Sequence, residues 1–413
     1  MRNASIASLL VFGLFASGQL ASAQSLPGTP VASRGVRVQV IADGLHDPRG
    51  LAMAPGGDLY VAEAGITEGI FTPPPPPDSG PRTRTRCSVD WPVGPVTGGY
   101  TSRISRISER GSVTTIAADL PSAAGNTLIG GDRMGVAAVT VVGNHVYAVL
   151  AGAGCSHGHP SEDNTLLRVY GNGTTAPLAD LSNYLRSNFD SKDPAASDFE
   201  PDGVWYSLIH AFGGFYTIEP NHGLLVRVEH NGAIIRVADL IDRVTQIDPA
   251  HDGDKTFTSL TVHKGSFYIG TLGRIDTGFA GSVYRVSADG LRVEEVASGL
   301  HGVVGVAFDR RDRMYVLETT NSSFPPLSDP GAGRLLRVER DGSLTPLVTN
   351  LSFPTALIAG HRGEFYISNC GYHCDDLTNA PVSRPSLGAG QVLKVEIEGH
   401  RAFHGDNDQG ERD

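Results

Sequence analysis

A short motif built on tyrosine recurs six times along the chain. Tyr60, Tyr147, Tyr216, Tyr268, Tyr315 and Tyr366, six of the twelve tyrosines, each follow a small turn and one apolar residue, and each opens a β-like run: LYVAE, VYAVL, FYTIE, FYIGT, MYVLE and FYISN. Self-similarity at a fixed interval is the sequence sign of a repeat architecture. An apolar strand precedes each tyrosine. A strand centred on a cation and a β-branched residue follows it: Arg106-Ile107, Arg168-Val169, Arg227-Val228, Arg285-Val286, Arg337-Val338 and Lys394-Val395. A further strand then ends in leucine, at Leu120, Leu181, Leu240, Leu300 and Leu351.

Only five leucines follow a cation strand; the sixth stands at the other end of the chain, where VQVIADGL (Val38 to Leu45) carries the same pattern. A chain that begins with the last strand of its final repeat can close a ring by pairing its termini, which leaves no free sheet edge at the seam. The expected fold is all-β: a six-bladed β-propeller of four-stranded antiparallel blades over residues 36–399, closed by pairing the N-terminal strand into the last blade. The 51 glycines and 26 prolines suit such a turn-rich chain.

Residues 1–23 read as a secretory signal peptide: an early charge at Arg2, an apolar run from Leu9 to Phe15, and Ala21-Ser22-Ala23 before Gln24. The competing reading is a membrane anchor, but the run falls well short of the ~20 residues of a span. The expected location is exported, periplasmic or extracellular. A net charge of -11 with no basic run argues against nucleic acid and anionic membranes as partners. The polar tail, residues 400–413, is expected to be mobile.

With the strands of a blade labelled a to d, the a–b and c–d turns share one face and are tight, as at Pro55-Gly56-Gly57, Gly143-Asn144 and Asp341-Gly342. All long insertions fall on the opposite face, the longest being the proline-rich loop 64–101 with Pro73 to Pro77. Long loops on a rigid scaffold carry function. All four cysteines lie on that face, Cys87 and Cys155 in neighbouring blades and Cys370 with Cys374 in one loop. Disulfides are expected in an exported chain with an even cysteine count, Cys87–Cys155 and Cys370–Cys374 being the economical pairing among three connectivities. A sharper alternative is zinc or copper held by Cys155-Ser-His157-Gly-His159 and Cys370-Gly-Tyr-His373-Cys374, which mix thiols with imidazoles.

Three residues after each repeated tyrosine, strand b reaches the loop-rich face, where the equivalents are Glu63, Leu150, Glu219, Thr271, Glu318 and Asn369. Three carboxylates on alternate blades, with His46, Arg49 and Asn221 nearby, are candidates to hold calcium or a ligand at the channel mouth, or to do acid/base work. The competing reading pairs each carboxylate with neighbouring backbone or arginine. No nucleophile elbow, P-loop or dinucleotide fingerprint is present.

Asp47-Pro48-Arg49-Gly50-Leu51-Ala52 and Gly57 to Gly65 resemble the opening blade of the ScyD/ScyE family of exported, NHL-like six-bladed propellers, and the similarity continues through Asp202-Gly203-Val204, Leu225 to Val228, Met314 to Glu318 and Gly390 to Val395. That resemblance implies an exported ligand-binding or accessory propeller with no established activity. Calcium-dependent lactonase propellers of the gluconolactonase and paraoxonase group are similar in outline, but where their first-blade glutamate motif stands this chain has Asp47-Pro48-Arg49-Gly50. The sequence-level expectation is a monomer binding a small or extended ligand at its loop-rich face. A calcium-dependent hydrolase such as a lactonase and a protein-interaction platform are the alternatives.

Overall fold

The computed structural model describes residues 29–66, 87, 89, 94, 96–125, 133–188, 190–194, 199–248, 255–273, 281–320, 330–372, 374 and 390–398. The signal segment, the Pro73 to Pro77 run, His373 and the tail from His400 lie outside them. The described strands form six antiparallel sheets, each with its first strand innermost. Blade 1 comprises Pro48–Met53, Leu59–Glu63, Thr97–Ile107 and Val113–Ala124; blade 2, Val136–Val142, His145–Leu150, Thr165–Val169 and Thr175–Asp180. Blade 3 comprises Ser207–Ala211, Gly214–Glu219, Leu224–Val228 and Ile234–Asp239; blade 4, Phe257–His263, Ser266–Thr271, Gly281–Ser287 and Val293–Leu300. Blade 5 is Val303–Phe308, Met314–Glu318, Gly333–Val338 and Leu344–Leu351, and blade 6 is Ala356–Ala359, Phe365–Asn369, Gly390–Ile397 and the N-terminal Val36–Leu45. Val36 pairs with Ile397, Val38 with Val395 and Val40 with Leu393, so the chain's first long strand closes the ring.

Burial explains why the repeat looks as it does. Each sheet packs between two neighbours, so strands near the axis are covered on both faces and read as nearly continuous apolar runs. Every residue of Gly214–Glu219 is buried, whereas the outermost Val36–Leu45 alternates. The repeated tyrosine serves two contacts at once. Within its blade it stands opposite the repeated cation, as Tyr60 does to Arg106, Tyr147 to Arg168, Tyr216 to Arg227, Tyr268 to Arg285, Tyr315 to Arg337 and Tyr366 to Lys394. Such cross-strand pairs stabilise a sheet. Between blades its ring meets an aromatic of the next sheet: Tyr147 on Phe215 at 4.5 Å, Tyr216 on Phe267 at 4.9 Å, Tyr268 on Phe308 at 4.6 Å and Tyr315 on Phe365 at 4.5 Å between centroids. Where inner strands approach most closely the residue is glycine; a Cβ on Gly50 would stand 2.7 Å from the Cα of Ala138.

Blade 1 carries a fifth strand, Arg133–Met134, beside Ala123 and Ala124, and two further features depart from the plain repeat. Leu181 and Leu240 do not end strand d but open short helices, α1 (Leu181–Ser187) and α2 (Leu240–Ile247). Asp180 and Asp239 cap them, their side chains accepting the backbone N–H of Asn183 and Asp242, which stops the strand and starts the helix. The N-terminus also adds a fifth strand, Val31–Ala32, to the outer edge of blade 5 before it enters blade 6.

The cysteines pair as Cys87–Cys155 and Cys370–Cys374, and none is free. This removes the mixed thiol–imidazole metal reading, because a disulfide sulfur is not a thiolate ligand. The first bridge joins the insertions of blades 1 and 2 across 68 residues of sequence; the second closes a separation of only 4. On loop-closure entropy the long bridge contributes about 4 kcal/mol and the short one about 2 kcal/mol. Cys155→Ser should therefore lower the denaturant midpoint by about twice as much as Cys374→Ser, a comparison that urea titration of the two variants makes directly.

Candidate functional site

The core between blades is apolar, and among the described residues nearly every buried charged side chain sits at one end of the ring. Asp47, Arg49, Glu63, Arg133, His157, Glu200, Asp202, Glu219, His222 and Glu318 are all buried, and all lie at the loop-rich ends of strands a and b or in the b–c and d–a connections of that face. Asp309, in a tight turn, is the buried charge on the opposite face. Since an ionised group loses hydration on burial, each must find partners in place.

Glu63, Glu219 and Glu318 find them in their own blades. The Glu63 carboxylate accepts the His46 N–H at 2.6 Å and the Arg103 Nε–H at 2.8 Å, with the Ser105 hydroxyl donating to its other oxygen. Glu219 accepts the N–H of Val204 at 2.7 Å and of His222 at 2.6 Å. Glu318 accepts the His301 N–H at 2.8 Å and pairs with Arg334; burial pushes its carboxyl up despite those donors. Asn369 does the same work in blade 6, taking the Ser352 N–H at 2.9 Å. In these four blades the register three residues beyond the tyrosine thus marks where strand b fastens the incoming d–a connection. Both oxygens of each glutamate already accept protein hydrogens, a poor fit to a calcium ion that needs them as ligands. Among the described residues no three His, Cys, Asp or Glu side chains come together as a metal-binding group.

A denser cluster lies between blades 2 and 3. His157 Nδ1 faces the Ala153 carbonyl at 2.7 Å and its Nε2 the Glu200 carboxylate at 2.8 Å. His222 Nδ1 faces Asp190 at 3.0 Å and its Nε2 the Glu200 carbonyl at 3.0 Å. The other Glu200 oxygen accepts the Asn221 amide at 3.2 Å. Carbonyl and carboxylate oxygens only accept, so four such contacts call for two imidazolium rings. Burial opposes charge on His157, but the hydrogen bond and charge of Glu200, with Asp202 behind, hold it above the ordinary imidazole range. Burial likewise opposes charge on His222, and the charges of Glu219 and Asp190 overcome it. Asp202 accepts the N–H and hydroxyl of Ser156 at 2.8 and 2.6 Å and pairs with Arg186, whose guanidinium also holds Asp163 in a two-pronged contact. Gly154, at φ 106°, gives the space, since a Cβ there would lie 2.4 Å from the Asp202 carboxyl carbon.

Around the ring, the Arg49 guanidinium lies 3.9 Å over the ring of Tyr372, a residue inside the Cys370–Cys374 loop, and donates to the Arg133 carbonyl. Arg133 pairs with Asp47 at 3.1 Å. Tyr206, at the start of blade 3, sends its hydroxyl across the axis to the Thr355 carbonyl of blade 6 at 2.9 Å. In a six-membered ring those blades are opposite, so this side chain bars the channel at the loop-rich end. The structure thus brings Asn221 to the Glu200 cluster, stacks Arg49 on Tyr372, and leaves the three glutamates in separate blades. Sequence spacing gives no sign of Asp190, Arg186 or Tyr206, which belong to no repeat position.

No protein-family model matches the chain, and no curated protein matches it in sequence. Solved structures do match in fold. A gluconolactonase from Xanthomonas campestris superposes with a TM-score of 0.51 at 10% identity over 90% of this chain and 96% of its own. An oxidoreductase described as a glucose dehydrogenase, from Thermus thermophilus, gives 0.48 at 15% identity over 88% and 100%. Virginiamycin B lyase from Staphylococcus aureus gives 0.44 at 14% over 88% and 99%. At such identities the gluconolactonase likeness speaks to the propeller fold alone, and the two with lower scores add nothing to it.

Two expectations follow. Imidazoles raised above their unfolded value stabilise fully below about pH 6.5 and lose that contribution as pH rises through their folded values. Unfolding free energy measured by guanidinium titration should therefore fall from about pH 6.5 upward, and His157→Gln with His222→Gln should flatten that slope. Glu63→Ala leaves Arg103 and the His46 N–H without their acceptor and should cost about 2–4 kcal/mol by the same assay.

Proposed function

We propose that the protein is an exported ligand-binding propeller of the type its ScyD/ScyE resemblance implies, acting as a monomer and receiving a small or extended ligand on the loop-rich face. One observation carries this reading: the buried charge is concentrated at that face. Keeping ionised groups dehydrated costs stability, and here that cost is met at one end of the ring, where the buried charges hold the long connections in fixed positions. Fixed polar groups on connections held by a rigid ring are what recognition of a polar ligand requires. In this reading His46, Arg49 and Asn221 face the ligand, while Glu63, Glu219, Glu318 and Asn369 hold the connections that carry them. Residues 1–23 act as the export signal, and the two disulfides suit an oxidising compartment.

A calcium-dependent lactonase is the rival, and metal response separates the two. An ion bound at a hundred times its Kd adds about 2.7 kcal/mol, worth several degrees in Tm. Purified mature protein should show no such shift with calcium or zinc, and no divalent ion by elemental analysis. A stoichiometric ion whose removal abolishes lactone hydrolysis would replace the binding reading. In a small-molecule screen by thermal shift, hits should be lost in Arg49→Ala and Asn221→Ala while both variants keep their unfolding cooperativity.

A further inference from the structure

The six inner strands enclose an axial chamber of about 330 Å³, at the lower end of the ~300–1,000 Å³ range of small-molecule sites. Its wall has an uncommon chemistry. Because each blade packs face to face with its neighbours, inner-strand side chains point sideways: Leu357 packs with the blade 5 residues Leu317 and Val304, while Ile358 packs with Leu51 and Met53 of blade 1. Each inner strand is hydrogen-bonded to a partner strand on one side only, so its other edge, with alternating N–H and C=O groups, faces the axis. No backbone–backbone hydrogen bond joins one inner strand to the next among the described residues.

Near the loop-rich end the protein supplies its own partners for these edges. Ser207 donates to the Thr258 carbonyl at 2.7 Å, Thr258 to that of Val303, Thr355 to that of Pro48 at 2.6 Å, and Tyr206 to that of Thr355 at 2.9 Å. Below the Tyr206 bar the lining runs through Ile209, Thr261, Val262 and Ile358 to Phe308, which stacks on His263 with centroids 4.0 Å apart. Among the described lining residues His263 and Tyr206 alone can ionise; His263 is paired with Asp312 at 3.1 Å and Tyr206 is hydrogen-bonded.

We propose that this chamber is a second binding site, entered from the tight-turn face, for an uncharged polyhydroxylated molecule of single-ring size. Backbone donors and acceptors that alternate around a ring match hydroxyl groups, which do both. A wall with no ionic partner to offer rejects a charged ligand, which would be dehydrated without compensation. The blind end at Tyr206 sets the depth.

The site is independent of the loop-rich mouth, and the test keeps them apart. With isotope-labelled full-length mature protein, myo-inositol should shift the backbone amide resonances of Ile209, Thr261, Val262 and Ile358 in the millimolar range expected of so small a ligand, and leave Asn221 unmoved. myo-Inositol monophosphate should bind about ten-fold more weakly or worse. Tyr206→Phe, which keeps the ring and loses its hydroxyl bond, should alter the inositol shifts at Ile209 without abolishing them at Val262. Shifts confined to Asn221 and its neighbours, or inner-strand amides that stay silent to saturating inositol, would overturn the proposal and leave the chamber to water alone. Preference for the phosphate would overturn it equally.

Discussion

The pairing of Val36–Leu45 with Gly390–Ile397 is the contact on which everything else rests. A radial array of sheets has apolar surface on both faces of every blade, and only a closed circle covers the first and last of them. Closing it with a strand from the opposite end of the chain makes blade 6 a composite, so the ring cannot open without breaking a whole ladder of hydrogen bonds. The Val31–Ala32 strand on blade 5 extends this seam to a second sheet, so that the N-terminal segment spans two blades.

Closure brings polar consequences at the two ends of the axis. On the tight-turn face the connections are hairpins that satisfy their own backbone. On the loop-rich face the d–a connections must turn inward from rim to axis, and their backbone N–H groups point at the ends of neighbouring strands. Glu63, Glu219, Glu318 and Asn369 receive those hydrogens, from His46, Val204, His301 and Ser352 in turn. A carboxylate at that position therefore has a scaffold role before it has any chemical one, and the side chains left to meet a ligand are those the anchored connections carry.

The blade 2–blade 3 sector goes further. There helix α1 joins the two blades, a disulfide ties the blade 2 insertion to blade 1, and Glu200 is shared by His157, His222 and Asn221. Such a network fixes the relative position of three connections with charge-assisted hydrogen bonds, in a region where apolar packing alone would leave polar backbone unsatisfied. It also couples the geometry of that sector to proton concentration.

Much of the fold was legible because a propeller repeats the same local problem six times. The tyrosine, its opposing cation and the leucine recur since each blade needs one cross-strand pair, one aromatic reaching the next sheet and one strand end, and the displaced sixth leucine disclosed the closure. Helices α1 and α2 were not legible, because the same Asp-Leu pair precedes a helix at Asp180-Leu181 and Asp239-Leu240 but continues a strand at Asp119-Leu120. The site was legible only as a face and a register. Counting from Tyr60, Tyr216 and Tyr315 located three glutamates, but whether a carboxylate meets an ion, a ligand or a backbone N–H depends on atoms from other segments. Asp190 beside His222, Arg186 beside Asp202 and Tyr206 across the axis from Thr355 are separated in sequence by intervals that follow no period. Periodic packing is a local property repeated, and sequence by itself determined it. Convergence of single side chains from different blades is a property of the closed ring, and only the tertiary structure decided it.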